Sequence, residues 1–238
     1  MKLDILAFGA HPDDVELSCS GTLAKHISLG KKAGIVDLTR GELGTRGTAA
    51  IRDSEAEEAA KILGISIREN LKFKDGFFAN DEKHQFEIVK IIRKYQPEII
   101  LANAIDDRHP DHGRAAKLVE DACFLSGLIK IETTVDGHRQ NAWKPGAIYH
   151  YIQDRYIKPD FIVDISGFMK QKTDSYLAYK SQFYDETSNE PSTYISSPEF
   201  LNSIVVRAQE FGRIIGVQHG EGFCSQRLVG VTNLFELI

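Results

Sequence analysis

Cysteine is scarce in this chain, with three thiols (Cys19, Cys123 and Cys224) among 238 residues. The odd count, wide spacing and lack of any C-x-x-C exclude a disulfide framework and a cysteine-rich zinc site. All three read as buried thiols in a reducing compartment. A basic excess is missing too. The net charge of -5 argues against a general nucleic-acid binder. No apolar run approaches the roughly eighteen residues that a membrane crossing needs. The opening "MKLDILAFGAHPDD" has too short an apolar part for a signal peptide and carries an acid inside it. These absences predict a cytoplasmic protein with neither nucleic acid nor membrane as partner. No low-complexity linker, charge block or internal repeat divides the chain, so residues 1–238 are expected to form a single domain with a full core.

What is present alternates strand with helix. Asp4–Gly9 is a short apolar strand ending in glycine, and Val15–Gly30 carries apolar residues at helical spacing up to a glycine stop. Gly34–Thr39 reads as a second strand. After the loop "RGELGTRG", Thr48 or Thr45 caps a helix over "AAIRDSEAEEAAKIL" that stops at Gly64. Leu71–Phe73 is a third strand, Glu82–Tyr95 an amphipathic helix halted before Pro97, Glu98–Ala102 a fourth strand and Asp111–Leu128 a helix. "GAIYHYI" and "DFIVDI" predict two more strands, and "SGFMKQKTDSYLAYKSQF" and "PEFLNSIVVRAQEFGRIIG" two more helices. The polar stretch Tyr184–Ser197 is expected to be a mobile surface loop. Alternation of this kind predicts an α/β fold, Rossmann-like and doubly wound, with a mainly parallel sheet and helices on both faces.

Two strand ends carry unusual chemistry. The first runs into His11-Pro12-Asp13-Asp14, the fourth into Asp106-Asp107-Arg108-His109-Pro110-Asp111-His112. In a doubly wound sheet of order 3-2-1-4-5 these strands are neighbours whose helices leave to opposite faces, opening a crevice beyond their carboxyl ends. Adjacent carboxylates repel, so the arrangement calls for a cation. Imidazole and carboxylate together suit zinc, with iron(II) or cobalt also fitting. His11, Asp14 and His112 are the expected ligands of one ion per chain. The alternative is that Asp13 and Asp14 merely cap a helix and the histidines are solvated. Two His-Pro-Asp clusters at adjoining strand ends argue against capping alone.

"AHPDDVEL" together with "HPDH" resembles the LmbE-like, or PIG-L-type, zinc-dependent N-acetylglucosamine deacetylases. The resemblance extends through "RGELGTRG", "IRDSEAEEAAKILG" and "IGVQHGEGF", over most of the chain. It implies the same three ligands, with Asp13 as general base. "GELGTRG" and "GEGF" look most like the branch that deacetylates N-acetylglucosaminyl-malate on the way to bacillithiol. His219 stands where many relatives in that branch carry tyrosine. The resemblance further implies a homo-oligomer, trimeric or hexameric.

Asp13 would accept a proton from water attacking the acetamide carbon. His109 is the expected cationic donor to the oxyanion, with Asp111 either keeping that imidazole protonated or orienting His11. Arg52 and Arg108 suit the carboxylates of an acidic aglycone, because arginine forks bind carboxylates in bidentate fashion. Glu42 is a candidate for sugar hydroxyls and Tyr194 for closing over the substrate. His219 and Glu221 are placed at the site or at a subunit contact. Three rivals stand beside this reading. The first is a nucleotide-binding module built on "GELGTRG", though phosphate fingerprints normally follow strand one. The second is a metal-bearing protein without turnover, which would have no use for Asp13. The third is the same chemistry on a chitooligosaccharide or other conjugate.

Overall fold

Strand β1 (Ile5–Gly9) is buried at every residue and splits its side chains between two cores. Leu6 and Phe8 pack into one, Ile5 and Ala7 into the other, as the period of two requires. This is the centre of a computed structural model that describes residues 1–237.

Beyond β1 the chain turns into two short helices, α1 (Asp14–Ser18) and α2 (Ser20–Ser28), broken at Cys19 where a single helix was expected. Strand β2 (Ala33–Thr39) leads through the glycine loop to α3 (Ala49–Leu63), whose amino end Thr48 caps by accepting from the Ile51 N–H. Strand β3 (Ile67–Phe73) is longer than its apolar end predicted, because its half-buried polar half still pairs with β2. Helix α4 (Glu82–Tyr95), strand β4 (Ile99–Ala102) and helix α5 (Pro110–Ser126) complete the regular half. A small hairpin, β5 (Thr134–Val135) with β6 (His138–Arg139), precedes β7 (Ala147–Tyr151) and β8 (Phe161–Asp164). Helices α6 (Met169–Leu177) and α7 (Pro198–Ile214) and strand β9 (Gly220–Cys224) follow. Helix α6 ends at Leu177, short of the predicted Phe183.

The sheet order is β3-β2-β1-β4-β7-β9-β8. Strands β3, β2, β1, β4 and β7 are parallel, and β9 runs antiparallel between β7 and β8. Strand β9 escaped the sequence reading because "GEGFC" carries two glycines and so looks like a turn. It is buried throughout. Helices α4 and α5 cover Leu6 and Phe8 on one face, whereas α1, α2 and the end of α3 cover Ile5 and Ala7 on the other. The helices after β1 and β4 therefore leave to opposite faces, and the crevice expected from that divergence lies beyond the two strand ends. Among the described residues no helix is long and apolar enough to cross a membrane.

Candidate active site

The turn after β1 is tight. Gly9 is required there, since a Cβ on it would lie 2.9 Å from the His11 carbonyl oxygen. Asp13 then adopts φ 106°, a region that non-glycine residues avoid at a cost of about 1–3 kcal/mol. The strained turn puts His11, Asp13 and Asp14 on the wall of one cavity of about 330 Å³, which His109 and His112 also line. That volume is at the lower end of what small-molecule sites occupy.

Asp14 is the centre of the cluster. Its Oδ2 lies 3.6 Å from His11 Nδ1 and its Oδ1 lies 3.2 Å from His112 Nε2. Each imidazole is held at its other nitrogen by carboxylate. His112 Nδ1 is 2.5 Å from Asp107, and His11 Nε2 is 3.1 Å from Asp75 and 3.5 Å from Asp111. One nitrogen fixed by a carboxylate and the other turned to a shared ligand is the pattern that orients histidines around a metal ion. The donor set of two imidazoles and one carboxylate fits zinc, iron(II) or cobalt. Two overlapping groups also place donor atoms within 4.8 Å of one another, His11-His109-His112 and His11-Asp75-Asp111.

The electrostatics agree with a cation site. Burial opposes charge on both imidazoles, but Asp111, Asp14 and Asp75 hold His11 well above the usual histidine range, and Asp14 and Asp107 push His112 up to about 9. Burial likewise opposes the charge of Asp14, yet His112 and His11 keep its carboxyl well below the ordinary value. Asp13 goes the other way. Burial raises it to about 7, with Asp14 adding repulsion and Arg52 opposing.

Arg52 lines the cavity, but its guanidinium is engaged by the protein itself. It is buried, and its Nη2 donates to Asp13 Oδ2 at 2.9 Å and to the Pro12 carbonyl at 2.7 Å, while Nη1 donates to the Gly41 carbonyl. It braces the strained turn, and Gly41 makes room for it, since a Cβ there would sit 1.8 Å from Nη1. Asp111 resolves the two expectations held for it. Its carboxylate lies against His11, and only its backbone N–H reaches His109, donating to Nδ1 at 3.2 Å. The Asp111 carboxylate makes no hydrogen bond to the His109 ring among the described residues. Burial and the charges of His11 and His112 lower the His109 pKa. With Nδ1 accepting, the neutral ring carries its proton on Nε2.

The remaining candidates divide. Arg108 and Tyr194 line the cavity, with the Arg108 guanidinium 4.5 Å from the Tyr194 ring and the Tyr194 hydroxyl donating to Asp154 at 3.1 Å. Glu42 does not line it. That carboxylate accepts from the backbone N–H groups of Asp75 and Arg40. His219 and Glu221 also lie outside the cavity lining. Glu221 is buried and accepts from the N–H groups of Gly21 and Thr22 and from Lys172.

Several residues escaped the sequence reading: Asp75, Asn103, Asp107, Gln153, Arg46 and Arg207. Asn103 and Gln153 donate to Asp14 at 3.0 and 2.7 Å. Arg46 and Arg207 line the cavity wall. A signal for four of them existed. Asp75, Asn103, Asp107 and Gln153 each follow the carboxyl end of a sheet strand, where ligands of such folds gather.

Comparison with known proteins bears on this geometry. The family model described as "PIG-L: GlcNAc-PI de-N-acetylase" matches residues 6–123, a span that contains His11, Asp14 and His112. The diacetylchitobiose deacetylase of Thermococcus kodakarensis is 28% identical over 235 residues, covering 92% of this chain and 81% of that protein. The mycothiol S-conjugate amidase of Streptomyces coelicolor is 29% identical over 182 residues, covering 63% of this chain and 60% of that protein. The crystal structure of a conserved protein from Thermus thermophilus, TT1542, superposes with a TM-score of 0.86 at 34% identity, covering 98% of both chains.

Proposed function

This chain belongs to the PIG-L family, and from that membership and the cavity's geometry we propose that it is a metal-dependent N-deacetylase of N-acetylglucosamine glycosides. The substrate we infer is N-acetylglucosaminyl-malate, on the route to bacillithiol. One observation carries the reading. Asp14 faces one nitrogen each of His11 and His112, while the neighbouring Asp13 has Arg52 as its ionic partner among the described residues. One carboxylate of the pair is committed to the ligand set and the other is left for proton transfer.

A divalent cation held by His11, Asp14 and His112, zinc first and iron(II) or cobalt next, would polarise the acetamide carbonyl and lower the pKa of water to near neutrality. The chain's own side chains account for the rest. Asp13, braced by Arg52, takes the proton of the attacking water. His109 donates from Nε2–H to the oxygen that gains charge as the carbonyl carbon becomes tetrahedral. Asp13 then returns its proton to the leaving nitrogen. The C–N bond breaks, and acetate and a free amino sugar result.

The acidic aglycone is supported by Arg46, Arg108 and Arg207 in the cavity lining. Arginine forks suit paired carboxylates such as those of malate. A neutral chitooligosaccharide is the second reading, favoured by the likeness to the diacetylchitobiose deacetylase. Incubation with N-acetylglucosaminyl-malate, diacetylchitobiose and methyl N-acetylglucosaminide, scored by acetate and free amine, separates them. The malate glycoside is expected to give the highest kcat/KM. Equal rates on all three would remove the acidic specificity, and no acetate from any would remove the activity. A homo-oligomer, trimeric or hexameric, is part of the same proposal. Its support is the open apolar C-terminal segment, with Leu228, Leu234 and Phe235 at 95%, 78% and 98% exposure. Sedimentation equilibrium giving a monomer would exclude it.

A further inference from the structure

We propose that Asn103 and Gln153 form an amide clamp that leaves Asp14 a single lone pair for a metal ion, on Oδ1, so that this carboxylate binds through one oxygen. The proposal rests on the metal-centre reading of the cavity and not on the identity of the substrate.

The argument is a count of lone pairs. An ionised carboxylate has about four acceptor sites, two per oxygen. Asp14 Oδ2 accepts from the His11 backbone N–H at 3.0 Å and from Asn103 Nδ2 at 3.0 Å, which fills that oxygen. Oδ1 accepts from Gln153 Nε2 at 2.7 Å, which leaves one site. That oxygen lies 3.2 Å from His112 Nε2, the nitrogen Asp107 does not hold. A carboxylate only accepts, so both amides must turn their NH₂ groups toward it.

The clamp comes from two separate strands. Asn103 directly follows β4 and is fully buried, and Gln153 stands two residues past β7. His150 holds the backbone carbonyl of Asn103 through Nδ1 at 2.8 Å. Both amides leave a cost behind. Asn103 Oδ1 and Gln153 Oε1 are buried with no hydrogen-bond partner among the described residues. Unpaired buried carbonyls are unfavourable, and apolar side chains of similar size would avoid them. Two such residues converging on one carboxylate are explained by what they do to it.

The consequence is a coordination number. With Asp14 limited to Oδ1, His11, His112 and Asp14 supply three ligand atoms, and a four-coordinate ion keeps one position open for water or the substrate carbonyl. If both Asp14 oxygens bound, that position would be filled.

Cobalt(II) titration of the purified full-length chain tests this, read by visible absorption and by competition with a chromophoric chelator. The wild type is expected to show the intense absorption of tetrahedral cobalt. Asn103→Ala frees a lone pair on Oδ2, so its cobalt spectrum should weaken toward that of a higher coordination number. Gln153→Met frees only a second site on Oδ1, so its spectrum should stay four-coordinate. In both variants affinity should fall by about 10–100-fold, the range for lost outer contacts to metal ligands. Unchanged affinity and spectrum in both, or the same spectral change in both, would overturn the clamp. So would a wild type that is not four-coordinate. Each amide holds a different oxygen, so if circular dichroism shows one variant unfolded, the other still decides by its own spectrum and affinity. Acetate release plays no part in the readout, so a failure of the deacetylase reading would be seen separately.

Discussion

Asp13 carries the chemistry at the scale of single residues. Its backbone is forced into the left-handed region and its carboxylate is pinned by Arg52. A strained residue whose side chain is then over-determined by a buried partner is a common mark of a functional site. Replacing Asp13 with Asn keeps the shape and removes the base. Turnover should fall by about 10²–10⁴-fold, while metal content, measured by atomic emission, stays at one ion per chain. Retained turnover would dismiss Asp13 from proton transfer. Arg52 acts through Asp13. Burial raises the Asp13 pKa and the Arg52 charge opposes that rise. Removing the charge in Arg52→Met should therefore move the acid limb of the rate profile to higher pH, with the loss greatest on the acid side. A uniform loss at all pH values would mean that Arg52 contacts substrate instead.

Between residue and molecule, the informative element is β9. This strand lies antiparallel between β7 and β8, and its Glu221 reaches across to the amino end of α2. There it accepts from two N–H groups of the first turn, which helices otherwise leave without partners. It also pairs with buried Lys172 of α6 at 2.7 Å. One carboxylate thus ties three elements together below the cavity. Glu221→Gln would leave the Lys172 ammonium buried without its counter-ion. Breaking such a pair costs about 3–5 kcal/mol, or roughly 6–20 °C in Tm for a chain of this size. Calorimetry should show that fall while metal content per folded chain stays the same. A shift of less than a degree would mean that the Leu17 and Glu16 carbonyls, which also accept from Lys172, suffice to hold the charge.

At the scale of the whole molecule the cavity gathers charge of both signs. It is lined by Asp13, Asp14 and Asp75 and also by Arg46, Arg108 and Arg207. The carboxylates suit a cation and the arginine forks an anion. A metal ion bound only by the folded chain also stabilises it by mass action. At a free concentration about a thousandfold above Kd, that stabilisation is about 4 kcal/mol, or roughly 8–16 °C in Tm for a chain of this length. Chelation should lower Tm by that amount, and added zinc should restore it. A Tm indifferent to chelator would count against the metal centre.

The sequence by itself determined the strand-helix alternation, the order of β3, β2, β1 and β4, and the meeting of His11 and Asp14 with His112. Each of these is written locally. Apolar period, glycine stops and His-Pro-Asp clusters at strand ends need no knowledge of distant neighbours. Tertiary structure alone decided the rest. Glu221 is an acid in a glycine-rich stretch until β9 inserts it beneath α2. Arg52 reads as a free cation until the fold brings the Asp13 turn onto it. Asn103 and Gln153 become partners of Asp14 only when three parallel strands end side by side. The physical reason is the same throughout. A hydrogen bond or an ion pair depends on atoms a few ångströms apart, and local sequence does not specify which distant residue the sheet will bring there.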